Sequence, residues 1–508
     1  MKRVIVSVAF ILAAVGTYAQ QDLNTAADAV RYATDNLTGT ARFRAMSGAF
    51  GAVGGDISAM NVNPAGSAIF NYNTGTASLS NYSTSNESNY FGTKNTTNTN
   101  AFDLNQLGAV FVFNNTNEDA VMNKFTLGFN YENTNSFYNK MNARGTNPNN
   151  SIDQYFLRNA NGIGNEGGIY LSTLQNAYFD ELSFMNQQAY LGYNAYIFDP
   201  VTTDGNNSVY TSNVPNTGNY YHENYTSTRG YNGKMALNFA TQIKQRFYLG
   251  ANINFHFTDY VKTTSLYEDN NNPSGTGLQA IRFDNERYTY GGGFSLNLGG
   301  IVKITEQLRA GVAYESPTWY RLQDEITQRI SSFCPECDAN NISNDTFVTN
   351  PGITFVFDDH TIKTPSKWTG SLAYIFGKNG LISVDYSIKD FSKTEFRNAR
   401  YEAINQELSD NMTVSGELRI GAEYRIKKLS LRGGYRFMES PYKDGRTMGD
   451  LTSYTGGLGY SFANSRIDLA YAWLQRKSDA PLLTSGFTDA ARVTGTNNNV
   501  TLSYTIDL

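Results

Sequence analysis

Residues that could do redox or metal chemistry are few in this chain. The only two cysteines, Cys334 and Cys337, frame a Cys-Pro-Glu-Cys motif, and the three histidines lie far apart at His222, His256 and His360. A metal site at the motif needs two further ligands, and a thioredoxin-type site needs a βαβ unit. In an exported chain such a pair is most simply a disulfide that pins a loop. We therefore predict a Cys334–Cys337 disulfide, no metal site and no cofactor.

Motifs for catalysis or nucleic-acid binding are also lacking. The sequence contains no Gly-x-Ser-x-Gly, no His-Glu-x-x-His and no glycine loop of the kind that cradles phosphate. The formal net charge of -5 gives no basic footprint for a nucleic-acid backbone. We expect a protein that is not an enzyme and does not bind nucleic acid.

One short stretch near the start differs from the rest of the chain. "GGDISAMNVNPAGSAIF", residues 54–70, is rich in small residues that let one backbone approach another closely. Asp56 can cap a short helix over "ISAMN", and Pro64 stops that helix. The Asn63 side chain can bond backbone groups in the turn. From these residues alone, the stretch reads as a short helix that ends in a turn.

The N-terminus has the layout of a secretory signal peptide. Lys2 and Arg3 precede an apolar run from Val4 to Gly16, and cleavage is expected after Ala19. No later stretch approaches 18 consecutive apolar residues, which argues against helical membrane spans. The exported chain is therefore soluble or a β-barrel, and residues 1–19 are assigned to the signal peptide.

Strict alternation of apolar and polar residues dominates the remainder. In "VTLSYTIDL" at the C-terminus, Val500, Leu502, Tyr504 and Ile506 alternate with Thr501, Ser503, Thr505 and Asp507. A period of two is typical of a strand with two different faces. One face requires lipid or a core, and the other requires water.

Fourteen such segments can be counted, and the connections between them alternate in length. Their approximate ranges are 74–82, 106–114, 123–134, 226–243, 246–267, 280–299, 307–327, 361–378, 381–396, 412–426, 429–440, 451–463, 466–478 and 497–508. Short turns at one end and long loops at the other are typical of a bacterial outer-membrane barrel with both termini in the periplasm. We predict an all-β fold, a 14-stranded antiparallel transmembrane β-barrel over residues 74–508 with long extracellular loops, of which 135–225 is partly helical.

A barrel of this size is too wide for its own side chains to fill. Residues 20–73 precede the first strand and are the segment available to occupy the interior. We therefore predict an N-terminal helical hatch, or plug, inside the lumen over residues 20–73, with outer-membrane lipid around the barrel.

The same N-terminal region carries a resemblance to a known family. "FRAMSGAFGAVGGDISAMNVNPAGSAIF" resembles the N-terminal signature of the FadL/TodX outer-membrane channels, and "LRAGVAYESPTWYRLQDEI" at 308–326 is similar to a strand of that family. The Asn- and Tyr-rich composition resembles that of the Bacteroidetes-type branch of this family. The resemblance implies a fourteen-stranded barrel closed by a hatch that gates a lumenal ligand site. Carried over by position, the hatch motif and ligand gate consists of Gly55, Asp56, Asn63, Pro64 and Ala65.

Two functions remain open at this point. The resemblance implies a passive outer-membrane channel for long-chain fatty acids or other hydrophobic small molecules. The alternative is a barrel that acts as a scaffold or shuttle in protein secretion or surface display, with a protein partner, because relatives in that branch include secretion components and the loops are long and aromatic.

Overall fold

The structure is a computed structural model that describes residues 23–117, 120–162, 167–216, 218–270, 277–335 and 346–508. The signal peptide assigned to residues 1–19 lies outside the described residues. In the described ranges, no helix is long and apolar enough to cross a bilayer.

Fourteen long strands form one closed antiparallel barrel, as the sequence predicts. We number them β1 to β14 in chain order: Thr74–Tyr90, Thr93–Asn114, Met122–Ser136, Tyr220–Ile243, Phe247–Asp269, Ala280–Lys303, Leu308–Glu315, Lys367–Phe376, Gly380–Asp390, Val414–Ile426, Leu429–Met438, Met448–Ser461, Ser465–Pro481 and Ala490–Asp507. Each strand pairs with its neighbours in sequence, and β1 also pairs with β14 from Thr74↔Asp507 to Asn89↔Arg492. The first-to-last pairing closes the sheet, so no edge strand is left exposed to lipid.

The first hairpin is longer than the sequence pattern indicates. The pattern places strands at 74–82 and 106–114, whereas β1 and β2 stay paired up to Tyr90↔Thr93. The added residues are mainly Ser, Thr and Asn. Apart from Phe102 and Leu104, both faces of this extension are mainly polar, so most of it carries no apolar alternation from which a strand could be recognised.

The two faces of the barrel wall have the reverse polarity of a soluble protein. On β14 the apolar Leu502 and Tyr504 side chains are 48% and 49% exposed, whereas Thr501 and Ser503 are each 1% exposed. The same arrangement holds on β10, where Ile420 and Tyr424 point outward and Arg419 and Glu423 are buried. Apolar residues outside and polar residues inside are the signature of a transmembrane barrel.

The two ends of the barrel differ in the length of their connections. Short turns join β4 to β5, β8 to β9 and β10 to β11 at one end of the barrel. The first strand begins and the last strand ends at the same end. We assign this end to the periplasm. Strands β4, β5 and β6 have 24, 23 and 24 residues. Since about 9–11 residues cross a bilayer, these strands extend well beyond the outer surface.

The wall between β7 and β8 contains a pair of opposed prolines. The β7–β8 ladder ends where Glu315 pairs with Lys367, and a further pairing begins at Trp319 and Lys363. This register places Pro317 opposite Pro365. Proline has no N–H to donate to a β-ladder. The ladder resumes at once, because Thr364 N donates to Thr318 O at 3.0 Å. The further strand segments at this outer end are Trp319–Phe333, Thr346–Thr349, Phe355–Val356 and His360–Lys363.

A helical cap covers part of the outer end. It lies between β3 and β4 and contains the strands Asn139–Asn147, Phe198–Pro200 and Tyr210–Ser212, the 3-10 turn Phe179–Glu181, and three helices at Asp153–Asn161, Leu171–Asn176 and Phe184–Asn194. Its apolar residues pack on the extended strands, where the Phe156 ring lies 5.1 Å from that of Phe283. The cap is therefore held by a core of its own that is continuous with the wall.

Two smaller sets of helices complete the chain. The N-terminal segment contains α1 at Ala26–Ala33 and α2 at Ala41–Ala45, followed by 3-10 helices at Ile57–Asn61 and Pro64–Ile69. The connection from β9 to β10 contains Phe391–Lys393, Glu395–Phe396, Ala399–Tyr401 and a helix at Glu402–Asn411.

Candidate functional site

The N-terminal segment lies inside the barrel and divides its lumen. Residues 23–73, which we call the hatch, bond to opposite sides of the wall: Ala41 N donates to Ser503 Oγ on β14 at 2.7 Å, and Arg309 on β7 donates to Val53 O at 3.1 Å. Most hatch side chains are buried. The lower part of the hatch, from α2 onward, therefore separates an outer compartment, which contains α1, from a periplasmic compartment beneath Gly55 and Asp56.

The motif residues Gly55 to Ala65 form one compact turn. Asp56 caps Ile57–Asn61 by accepting from Ser58 N at 3.0 Å, and it also accepts from Thr40 Oγ1 at 2.7 Å. Gly55 has a φ of 63°, a left-handed conformation that favours glycine, and its N–H donates to Gly66 O at 3.0 Å. This geometry explains why small and capping residues occur here.

Asn63 joins three backbone segments from its 1%-exposed position. Its Nδ2 donates to Gly51 O at 2.7 Å within the hatch and to Gly300 O at 3.1 Å on β6. Its Oδ1 accepts from Ala65 N at 3.1 Å and so caps Pro64–Ile69. Asn63 thus fastens the hatch to the wall through Nδ2, while its Oδ1 accepts one hydrogen bond within the hatch.

Glycines in the wall make room for this turn. A Cβ at Gly299 would lie 2.0 Å from Asn63 Oδ1, and one at Gly250 would lie 2.5 Å from Ala65 N. Asn238 and Asn252, beside these glycines, donate to Pro64 O at 2.9 Å and Met60 O at 2.8 Å. Hatch and wall are therefore complementary in shape and in hydrogen bonding.

The predicted motif residues are thus brought together, in the periplasmic half of the hatch. They do not line the apolar cluster around α1, so a ligand gate at Asn63 remains a prediction.

Helix α1 occupies the outer compartment and is clamped at its start. Thr25 and Asp28 form a capping box, in which Thr25 N donates to Asp28 Oδ2 at 2.9 Å. Arg287 on β6 donates to the same carboxylate at 3.0 Å and to Asp324 Oδ1 at 3.0 Å. A buried charge cluster therefore fixes the first turn of α1 against the wall.

The body of α1 fills an apolar cage. Its Ala29, Val30 and Tyr32 are buried, and the Tyr32 ring lies 5.3 Å from that of Tyr320. The cage is completed by residues of the wall and of the β9–β10 connection, including Tyr260, Leu322, Phe391, Phe396, Tyr401, Leu408, Met412, Met438 and Leu474. Apolar side chains of the wall thus face the lumen around α1, as Leu381 and Ile301 do where they pack on later parts of the hatch.

A carboxylate follows α1 and meets a group of wall cations. Asp35 Oδ2 lies 2.8 Å from Lys367 Nζ and 3.3 Å from Lys389 Nζ. Lys367 also pairs with Glu315 at 2.9 Å, and Arg436 donates to Asp35 O at 2.9 Å. A void of only about 20 Å³ remains between these groups. It has room for about one water molecule.

Two arginines beside this group have unused donors. Arg436 Nη1 and Arg476 Nε are buried and have no hydrogen-bond partner in the described part of the chain. The Arg476 guanidinium instead contacts Met448 Sδ at 3.0 Å and Met438 Sδ at 3.7 Å. Thioethers are weak acceptors, so these guanidiniums could bind a further anion.

A cavity of about 610 Å³ leads from outside to the first turn of α1. Thr25, Ala26 and Ala27 form its floor, and its apolar walls include Tyr155, Phe184, Tyr442, Pro481 and Leu483. An apolar molecule arriving from outside would therefore meet α1 first.

Sequence reasoning missed the residues around α1. Lys389 and Arg436 are recognisable from the sequence as inward-facing, but nothing there pairs them with Asp35, which lies in a non-strand segment. Long-range contacts of this kind carry no local pattern.

The histidines and Cys334 do not form a metal centre among the described residues. His222 is buried between Glu268 at 2.8 Å and Tyr90 at 3.0 Å, and His256 bonds Ser295 at 2.9 Å. Cys334 is buried near the cap, whereas Cys337 lies outside the described residues. The disulfide between them remains a prediction.

Comparison with known proteins supports the fold. No family model and no curated protein matches the sequence. Among solved structures, a Pseudomonas aeruginosa FadL homologue matches with a TM-score of 0.53 and 12% identity, over 93% of this chain and 99% of its own. The Ralstonia pickettii toluene transporter TbuX matches at 0.50 and 17%, over 93% and 99%. A deltaS2 mutant of the TodX monoaromatic hydrocarbon channel matches at 0.52 and 15%, over 93% and 100%.

The predicted Bacteroidetes-type branch is not distinguished by these matches. The closed fourteen-stranded barrel of this chain superposes on these structures over nearly its whole length. This chain is an outer-membrane β-barrel with the fold of the FadL/TodX channels.

Proposed function

We propose that the protein is a passive channel for hydrophobic small molecules, and that its ligands are long-chain fatty acids. The single observation that carries the proposal is the arrangement of α1 and Asp35. An apolar segment fills an aromatic cage, and a carboxylate at its end rests on Lys367 and Lys389. A long-chain fatty acid has the same two parts in the same order.

The surplus of cations supports a carboxylate in particular. Among the described residues, Lys367, Lys389 and Arg476 have Asp35 and Glu315 as their close carboxylate partners. Burying a charge without a partner is costly. A ligand carboxylate would use the free N–H groups of Arg436 and Arg476, whereas a neutral hydrocarbon would leave them unsatisfied.

Entry requires the N-terminal part of the hatch to move. The cage is filled by α1, and the void beside Asp35 is about 20 Å³, so no acyl chain fits while α1 is in place. The outer cavity ends at Thr25 to Ala27, which places an arriving ligand against the first turn. We infer that the ligand displaces α1, while Asn63 and its neighbours keep the lower hatch attached.

The neighbouring structures are consistent with a channel, since they include a toluene transporter and a monoaromatic hydrocarbon channel. Passive transport requires no enzyme chemistry and no cofactor. The choice of fatty acids over aromatic hydrocarbons rests on the cations Lys367, Lys389 and Arg476.

Uptake by cells tests the proposal. Cells with the intact chain should accumulate labelled oleate faster than cells without it, and a Lys367→Gln/Lys389→Gln double variant should lose most of the gain. Toluene uptake serves as the neutral comparison. Equal oleate uptake by cells with and without the protein, at equal barrel content in the membrane, would contradict the proposal.

A role as a secretion or display scaffold is the second candidate. The observation that favours it is a pair of tyrosines on the cap, Tyr170 and Tyr178, which are 56% and 74% exposed. Exposed aromatic residues are enriched in protein interfaces. Isolation of the barrel from intact membranes tests this role, and a stoichiometric protein partner that is lost on Tyr170→Ser/Tyr178→Ser would support it.

A further inference from the structure

The outer surface of the wall contains a groove of about 510 Å³ that crosses β4, β5, β6 and the segment Trp319–Phe333. Its base includes Val261 of β5, which is 8% exposed. The groove faces away from the lumen, because its residues lie on the outward side of these strands. Its volume is in the range of ordinary small-molecule sites. We call it the outer groove.

The outer groove begins where the lipid-facing band of the barrel ends. The Phe257 ring on β5 packs 6.0 Å from the rings of both Tyr131 and Tyr231. Such aromatic residues mark the boundary between lipid and water on outer-membrane barrels. Asp259, on the same face, follows Phe257 by two residues, a step of about 7 Å toward the outside. The outer groove therefore lies at the level of the head groups of the outer leaflet.

The charged side chains of the outer groove have no ion pairs of their own. Three carboxylates line it, Asp259, Glu286 and Glu325, and none of them pairs with a lysine or arginine in the described ranges. Arg229 of β4 also lines the groove, is exposed, and makes no ion pair with any residue that the structure describes. These four groups are therefore available to a ligand.

Hydroxyl groups orient the three carboxylates. Each carboxylate accepts one such bond: Asp259 Oδ2 from Tyr288 Oη at 3.0 Å, Glu286 Oε2 from Thr263 Oγ1 at 3.1 Å, and Glu325 Oε1 from Tyr290 Oη at 3.2 Å. An ionised carboxylate has about four acceptor positions. Each of the three therefore retains capacity to accept hydrogen bonds from a ligand.

The spacing of the carboxylates excludes a single small cation as their common partner. The ladder places Asp259 opposite Tyr290 and Glu325 opposite Tyr288. With strands about 4.8 Å apart and about 3.4 Å per residue, the Cα of Glu286 lies about 8 Å from that of Glu325 and about 14 Å from that of Asp259. In the described part of the chain, no group of acids is arranged to hold a metal ion. A ligand with several hydroxyl donors along its length can reach all three.

Tyrosines form the remaining walls of the outer groove. Tyr138 and Tyr231 are 51% and 38% exposed, and Tyr288 lies between the carboxylates. A tyrosine side chain combines a flat apolar ring with a polar hydroxyl. A sugar ring has the matching parts, since its C–H groups form an apolar face and its hydroxyls form a polar rim.

We propose that the outer groove is a docking site for the sugar head group of an outer-leaflet glycolipid. Hydroxyls of two joined sugar rings donate to the three carboxylates, ring faces pack on Tyr231 and Tyr288, and Arg229 binds a phosphate on the sugar. Continuity with the lipid-facing band favours a glycolipid over a free saccharide, because its acyl chains then lie along the barrel wall below Tyr231. The site is outside the wall and does not depend on the function proposed for the lumen.

Binding of monophosphoryl lipid A to the purified full chain tests the site. This probe has a phosphorylated disaccharide as its head group, and native mass spectrometry measures the fraction of protein that carries it. We expect it to bind, and we expect neither phosphatidylethanolamine nor phosphatidylglycerol at the same concentration to displace it. Glu286→Gln/Glu325→Gln should lower the affinity about tenfold, the equivalent of about 1.4 kcal/mol, because an amide is a weaker acceptor than a carboxylate.

A matched control lies on the cap. Asp180 and Asp199 are exposed and do not line the outer groove, so Asp180→Asn/Asp199→Asn should bind the probe as the unmodified chain does. Heat-dependent migration in gels identifies the closed barrel, and both double variants should show it.

Four results would overturn the proposal. Equal affinity of Glu286→Gln/Glu325→Gln and the unmodified chain would show that the carboxylates do not contact the head group. Displacement by phosphatidylethanolamine would assign the outer groove to an ammonium group, and loss of binding in EDTA would assign the carboxylates to a bridging metal ion. Complete displacement by the deacylated disaccharide would make the ligand a free sugar rather than a glycolipid.

Discussion

The Lys367 ammonium lies 2.8 Å from the Asp35 carboxylate, so the hatch supplies the counter-ion of a cation in the barrel wall. The contact links the segment that follows α1, the helix that we propose the ligand displaces, to β8 of the wall. A ligand that displaces α1 must therefore supply an apolar surface in the cage and a negative charge beside Lys367 and Lys389.

Arg476 should discriminate between a fatty acid and its ester. Its guanidinium is buried against two methionine sulfurs, with Nε unsatisfied. Arg476→Gln should weaken oleate binding about tenfold by removing a charge-assisted hydrogen bond, and should leave methyl oleate binding unchanged. Equilibrium binding to the purified protein measures both ligands.

The same variant should not lower stability, because an unpaired buried charge is itself unfavourable. Arg158→Gln on the exposed face of the cap is the control and should change neither affinity. If Arg476→Gln weakens the acid and the ester equally, the residue acts by packing rather than by charge.

Asn63 should hold the hatch without contacting ligand. Asn63→Ala removes bonds to Gly51 O and Gly300 O and leaves these carbonyls without that donor. Each unsatisfied buried group costs about 1–3 kcal/mol, so hydrogen exchange across residues 54–68 should accelerate and single-channel conductance should rise. Oleate affinity should change less than twofold.

The exposed periplasmic Asn464→Ala serves as the reference for Asn63→Ala, because no hydrogen bond of its side chain connects it to the hatch. A large loss of oleate affinity in Asn63→Ala, without faster exchange, would instead make Asn63 a ligand contact.

The close approach of wall and hatch predicts a steric effect at Gly299. A methyl group there would lie 2.0 Å from Asn63 Oδ1, whereas a Cβ at Gly370, on β8, meets nothing within 4 Å. Gly299→Ala should therefore lower the thermal stability of the hatch and raise conductance, since overpacking costs about 1–3 kcal/mol. Gly370→Ala should behave as the unmodified protein, and equal behaviour of the two variants would refute the fit described here.

The cap should lose stability as pH rises. Burial raises the pKa of Asp153, in the first turn of the helix Asp153–Asn161, to about 6, although a hydrogen bond from Ser212 opposes the shift. A folded-state pKa above the ordinary value favours the protonated folded form, so stability present near pH 4 is lost as pH rises through 6. The full effect is up to about 3 kcal/mol.

Hydrogen exchange of residues 151–161 at pH 5 and pH 7 measures this loss, after correction for the intrinsic pH dependence of exchange. Asp153→Asn should remove the difference between the two pH values. An unchanged difference in that variant would assign the pH dependence to another group.

The sequence predicts the barrel well because its wall follows a local rule. The alternation of apolar and polar residues along β14 and β10 identifies the two faces of the wall. The alternation of short and long connections identifies the periplasmic and outer ends of the strands. The β1–β2 extension could not be recognised, because most of its residues are polar on both faces. The pairing of Asp35 with Lys367 and Lys389 depends on where a non-strand segment rests inside the barrel, and no periodicity records such a position.

In the hatch, too, local features can be predicted from the sequence and long-range contacts cannot. Asp56, Asn63 and Pro64 act on residues within a few positions of themselves, so their capping roles are readable from the sequence. The contacts of Asn63 with Gly300 and of Pro64 with Asn238 join segments far apart in the chain. They emerge only when the barrel has closed.

The central claim is that a fatty acid replaces α1 and Asp35, and an experimental map of the protein saturated with oleate tests it most directly. We predict continuous density in the cage of Tyr320, Phe391 and Met438, its carboxylate within hydrogen-bonding distance of Lys367 and Lys389, and α1 displaced. Density for α1 in its original place, with Asp35 still on Lys367 and oleate absent from the cage, would contradict the account.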